Sequence, residues 1–105
     1  MIEVTPAITL TDDEVQVRAV RASGPGGQHV NKVSTAIELR FDVRASPSLP
    51  EGVRSRLYKL SGSRLTLDGV LVLVAQGSRS QEMNRQEALD RLLTLIRKAA
   101  EPPPP

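Results

Sequence analysis

The residues best suited to chemistry lie together. They form the run Ser23-Gly24-Pro25-Gly26-Gly27-Gln28-His29, with Asn31 and Lys32 close behind. Three of the seven glycines of the chain fall within four positions here. Glycine has no Cβ, so the backbone N–H groups of such a run can come very close to a ligand. A backbone N–H aimed at a developing oxyanion or alkoxide stabilises it without having to titrate. Losing one such donor typically costs about 2.7–4 kcal/mol of barrier. Gln28 is neither nucleophile, acid nor base, but its amide beside such a donor can place a water. The run therefore suits a reaction in which the protein stabilises and orients while water attacks.

The neighbouring residues add little titratable chemistry. His29 is the only histidine. As a general base it would need a nucleophile nearby, and Ser23 is a weak one, so it reads as a hydrogen-bonding residue of the loop. A single histidine with no cysteine makes no metal site, and no cofactor is expected. Asn31 reads as a cap on a local turn. The familiar phosphate loops do not fit. A Walker loop needs glycine directly before its lysine, and Lys32 follows Asn31; a dinucleotide fingerprint needs a third glycine where His29 stands. A plain connection stays open on these residues alone, because Pro25-Gly26 is also a turn signature. Long polar loops between good strands are functional or disordered.

The flanking pattern supplies the scaffold. Val15, Val17 and Ala19 alternate with Gln16, Arg18 and Val20, which reads as a half-buried strand. After the glycine run, with a single helical turn expected over residues 29–34, Ile37, Leu39, Phe41 and Val43 alternate with Glu38, Arg40, Asp42 and Arg44. This is the clearest strand in the sequence. Pro50 suits the first turn of a helix, Val53, Leu57 and Leu60 share one helical face, and Gly62 is the expected stop. Residues 64–67, Asp68-Gly69 and residues 70–75 read as a hairpin whose second strand, VLVLVA, is buried on both faces or nearly so. Residues 78–81 resemble a capping box opening the longest helix, whose stripe of Leu89, Leu92, Leu93 and Ile96 is core. Arg79, Gln81, Asn84 and Arg85 read as helix-start and packing residues, and Arg54, Arg56, Arg91 and Arg97 as surface charges. The order predicts an α+β fold, a small mainly antiparallel sheet with helices packed on one face.

Composition sets outer limits. At 105 residues the chain suits one domain with an aliphatic core, since Phe41 and Tyr58 are its only aromatics. Without cysteine there is no disulfide and no thiolate catalysis. The acidic N-terminus does not read as a targeting peptide, and no run approaches the ~20 apolar residues of a membrane helix. The expectation is a cytoplasmic, soluble, monomeric protein with no membrane partner. Net charge is +2, but residues 1–14 carry four acids and no base, so the body is mildly basic with a bias around the glycine run. This admits phosphate contacts as well as an ordinary solvated surface.

The extended run SGPGGQHVNKVSTAIELRF resembles the GGQ region of class-I peptide chain release factors, most closely their short, codon-independent relatives, the ribosome-rescue peptidyl-tRNA hydrolases of the alternative rescue factor B type. RSQEMNR, residues 79–85, matches the family pattern at the start of its last helix. The resemblance implies a GGQ catalytic domain over residues 1–100. Residues 101–105 would be the proline-rich start of a tail whose Lys/Arg-rich part is absent here. It implies hydrolysis of the peptidyl-tRNA ester in the peptidyl-transferase centre of the large subunit of stalled ribosomes. No stop codon would be read, since there is no room for codon-reading domains. Gly26, Gly27 and Gln28 would be the catalytic tripeptide. The Gln28 backbone N–H would stabilise the transition state or the leaving ribose oxygen, and its side chain, which the family can N-methylate, would help place the water. Arg21, Ser23, Gly24, Pro25, His29, Asn31 and Lys32 would position the loop against ribosomal RNA and the tRNA end. The alternative is a ribosome- or RNA-docking module without catalysis.

Overall fold

The computed structural model describes residues 1–21 and 35–101. Within them the fold is α+β, with antiparallel sheets and two helices. A short hairpin comes first, β1 (Ile2–Thr5) and β2 (Ile8–Leu10), paired antiparallel. Then come β3 (Val15–Val20) and β4 (Ala36–Asp42), the helix α1 (Glu51–Ser61), the strand β5 (Val70–Ala75) and the long helix α2 (Gln81–Ala100). The main sheet runs β3-β4-β5, all antiparallel.

The alternation in β4 decides which face is buried. Ile37, Leu39 and Phe41 point to the core, and the last two are fully buried. They sit in register with Ala19, Val17 and Val15 on one side and with Ala75, Leu73 and Leu71 on the other. Leu92 and Ile96 of α2 and Leu57 of α1 complete this core. Fully burying one such side chain is worth about 1.5–3 kcal/mol. Glu38, Arg40 and Asp42 lie on the opposite face, where Arg18 Nε donates to Glu38 Oε1 at 2.9 Å.

Several expectations need correction. The sequence predicts no element before Val15, yet Val4, Ile8 and Leu10 are buried in the core. Its strands have four and three residues, too short for alternation to be legible. β5 is buried on one face only. Val70, Val72 and Val74 pair with Asp42, Arg40 and Glu38 on the solvated face, so the first two are half-buried and Val74 is 42% exposed. Residues 64–67 form no strand. A 3₁₀ turn over Gly62–Arg64 leads to a single bridge, Leu65 to Leu71. The turn then closes with Gly69 N–H donating to the Thr66 carbonyl at 3.0 Å, which leaves Gly69 at φ +84°. A β-branched or bulky side chain is strained in that region.

Gly62 ends α1 as expected, at φ +55°. Pro50 precedes the first turn of α1 as its N-cap rather than standing within it. The cap of α2 is Ser80, not Ser78. The Ser80 hydroxyl accepts from the Met83 N–H at 3.2 Å, and the Ser78 hydroxyl accepts from the Ser80 N–H.

The four arginines read as surface charges each hold a backbone carbonyl. Arg54 donates to Val43, Arg44 and Leu49. Arg56 donates to Ala99 at 2.6 Å, Arg91 to Val74 at 3.1 Å and Arg97 to Val4 at 2.9 Å. A guanidinium reaches carbonyls that helix and sheet leave unsatisfied, and nothing in the local pattern announces which ones.

Candidate functional site

The last rung between β3 and β4 pairs Val20 with Ala36. Residues 21–35 make up the connection, or excursion, between the two strands. Ser23, Gly24, Pro25, Gly26, Gly27, Gln28, His29, Asn31 and Lys32 all lie outside the described residues, as does the helical turn expected over residues 29–34. Arg21 is described. It is the first residue past β3, and it is exposed.

The structure does define the base of the excursion. The ends of β3 and β5 and the start of β4 meet there, since Ala19, Ile37 and Ala75 lie side by side across the sheet. The first turn of α2 arrives at the same end. Asn84, fully buried, donates from Nδ2 to the Thr35 carbonyl at 2.8 Å and to the Ser78 carbonyl at 2.9 Å. Its Oδ1 accepts from the Ser78 N–H at 2.9 Å. The Thr35 hydroxyl donates to the same Ser78 carbonyl at 3.4 Å. Three chain segments, the entry to β4, the exit from β5 and the start of α2, are thus joined by one side chain. The reading of Asn84 as a packing residue missed this. The signal available was a polar residue standing four before Ala88 on the helix face that continues through Leu92 and Ile96.

Beside this base, β3 and the first turns of α2 flank an open groove of about 550 Å³. Val17, Ile37 and Leu89 contribute apolar surface, and Arg18, Glu82 and Arg85 contribute charge. Arg21, Arg79 and Arg85 are exposed, and among the described residues none of them has a carboxylate within ion-pair distance. The N-terminus of α2 adds the positive end of a helix dipole at the same end of the domain. The arrangement favours an anionic partner around the excursion.

Among the described residues, the one shifted titration lies elsewhere. Burial tends to raise the Glu14 pKa, but hydrogen bonds from Ser46, Ser48 and Thr11 outweigh it and hold the carboxyl below its ordinary value. Ser48 Oγ donates to Glu14 at 2.6 Å, the Thr11 N–H donates at 2.7 Å, and Ser46 Oγ donates to the other oxygen. This cluster ties the 3₁₀ turn before β3, Asp12–Glu14, to the connection after β4 and is structural. Among the described residues there is no group of three histidines, cysteines or carboxylates placed to hold a metal ion. No helix among them is long and apolar enough to cross a membrane.

Comparison with known proteins shows the family of the chain. A family model described as the RF-1 domain matches residues 2–103. The chain is 50% identical over 96 residues to "Peptidyl-tRNA hydrolase ArfB" of Pseudomonas putida, covering 91% of this chain and 69% of that protein. It is 34% identical over 91 residues to a large ribosomal subunit protein of Mus musculus, covering 87% of this chain and 44% of the relative. It is 29% identical over 82 residues to "Peptide chain release factor 2" of an Arthrobacter species, covering 78% of this chain and 22% of the relative.

Proposed function

This chain belongs to the RF-1 domain family, and from that premise we propose that it is a codon-independent peptidyl-tRNA hydrolase acting in ribosome rescue. The observation that carries this reading is the 50% identity to a peptidyl-tRNA hydrolase across nearly the whole chain.

The partners are the ribosome and peptidyl-tRNA, and the place of reaction is the peptidyl-transferase centre. There the protein acts as a monomer. Water attacks the ester carbon between the nascent peptide and the terminal ribose of tRNA. The Gln28 backbone N–H stabilises the oxyanion or the leaving ribose oxygen, and its side chain orders the water. Gly26 and Gly27 leave room for the tRNA end to approach the backbone. No group of this site has to change protonation to do so. Ser23, Gly24, Pro25, His29, Asn31 and Lys32 hold the run against RNA. Arg21, Arg79 and Arg85 are exposed cations without a carboxylate partner among the described residues. Their charges support the phosphate contacts this docking needs.

The test is peptide release from ribosomes that carry peptidyl-tRNA and no mRNA beyond the P site. The parent chain releases peptide, and Gln28→Ala lowers the rate by about 100-fold or more while leaving the thermal midpoint in place. Equal release by both proteins would remove the hydrolase reading. Stoichiometric binding with no release by either would leave a docking module.

A further inference from the structure

On the premise of that hydrolase reading, we propose that Asn84 is a positioning residue for the reaction, fixing the point at which the catalytic segment rejoins the sheet. Three observations lead there. First, Asn84 occupies a place that the packing assigns to an apolar side chain. The buried positions of α2 are Asn84, Ala88, Leu92, Ile96 and Ala99, and Asn84 is the only polar one among them. Burying a carboxamide costs free energy unless its hydrogen bonds are met. Here the three bonds to Thr35 and Ser78 meet them, and no buried side-chain polar atom among the described residues lacks a partner.

Second, those bonds reach a place that sheet pairing does not control. The β3–β4 ladder ends at Val20 and Ala36. Thr35 lies one residue beyond, 49 positions from Asn84 in sequence, and its carbonyl is held by the Asn84 Nδ2. Third, the same clamp gathers the exit from β5, since the Thr35 hydroxyl and the Asn84 carboxamide both bond Ser78. The entry to β4 is therefore fixed at Thr35, and Asn84 holds Thr35. Catalysis by orientation is sensitive to such a tether, since a displacement of about 1 Å can change a rate about 100-fold.

The experiment compares the parent chain, Asn84→Ala and Ile96→Ala in the rescue assay, below both unfolding midpoints. Ile96 lies three turns further along the same buried stripe and serves as a control for lost stability. Asn84→Ala should lower kcat by about 10-fold or more, leave KM for the stalled ribosome within about twofold, and free the Ser78 N–H to exchange faster with solvent. Ile96→Ala should leave kcat at the parental value. Asn84→Asp keeps the acceptor for Ser78 but removes the donor to Thr35, and it should lower kcat while Ser78 stays protected. It takes the place of Asn84→Ala if that variant does not fold. Parental kcat in both Asn84 variants, or a rise in KM alone, overturns the positioning role. So does a fall in kcat no larger than that of Ile96→Ala. A parent chain that releases no peptide overturns the hydrolase reading instead, and the positioning role with it.

Discussion

Arg54 Nη1 donates to the Val43 carbonyl at 2.7 Å, so the first turns of α1 hold the chain just as it leaves β4. The same guanidinium also reaches the carbonyls of Arg44 and Leu49, closing the connection between strand and helix into one unit. Its ion pair with exposed Glu51, at 3.6 Å, adds little by comparison. Arg54→Ala should destabilise the domain by about 1.5–3 kcal/mol, the usual range for bonds to a charged donor. Thermal unfolding should show a midpoint roughly 6–20 °C lower. Glu51→Ala should move it hardly at all. Equal effects of the two would mean that the ion pair, rather than the carbonyl contacts, holds the connection.

The two left-handed glycines among the described residues should respond differently to alanine. At Gly62 an added Cβ meets nothing within 4 Å, so only the φ of +55° opposes it. At Gly69 the Cβ would lie 2.7 Å from the Arg44 Cβ and 2.8 Å from the Tyr58 hydroxyl. Gly62→Ala should cost about 1 kcal/mol, and Gly69→Ala clearly more, since strain and collision add. Denaturant midpoints for the two variants check the order. A smaller loss at Gly69 would show that the Arg44–Tyr58 wall yields easily.

Glu14 predicts an acid-sensitive component of stability. Its folded pKa lies below the ordinary value because hydroxyls and a backbone N–H solvate the charged form, despite burial. A depressed carboxylate stabilises the fold fully above its unfolded pKa of about 4.3. That contribution fades as pH falls below this value and is gone beneath the folded pKa. Urea midpoints measured from pH 7 down to pH 3 should therefore fall more steeply for the parent than for Glu14→Gln. Parallel curves would assign the acid loss to other carboxylates.

Arg79 and Arg85 should act through salt. If each contacts one phosphate of ribosomal RNA, its replacement by alanine should lower affinity and flatten the plot of log K against log salt by roughly 0.7–0.9 per residue. Ribosome binding at several ionic strengths gives the slopes. Arg64→Ala replaces a cation that lies outside the groove region and should leave the slope as it was. An unchanged slope for Arg85→Ala would remove the groove from the interface.

Much of the fold was legible because its longer elements repeat their pattern. Residues 15–20 and 36–42 alternate, and the stripe of α2 recurs through Leu89, Leu92, Leu93 and Ile96. What escaped was either short or non-local. β1 and β2 are too brief for a period to develop. β5 consists of apolar residues on both faces, so its composition hides which side packs, and only its register with β4 reveals the solvated face. The arginine contacts and the Asn84 clamp join residues far apart in sequence, where no local rule points. The run proposed as catalytic reads as a motif, since glycine spacing and the glutamine carry it. Its support does not, because Thr35 and Ser78 act through backbone groups that every residue possesses.

The Arg97 bond to the Val4 carbonyl spans 93 positions, nearly the length of the chain. It places β1 against α2, so the first and last elements of the domain complete each other. During synthesis β1 and β2 emerge first, while α2, which packs on β1, β4 and β5, emerges last. Until then the apolar side of the sheet has no cover, and contacts of such long separation form slowly. The domain therefore finishes folding only once its final helix has left the exit tunnel. A factor of this family whose own synthesis stalls within α2 would hang from its ribosome unfinished, in need of rescue by a copy made earlier.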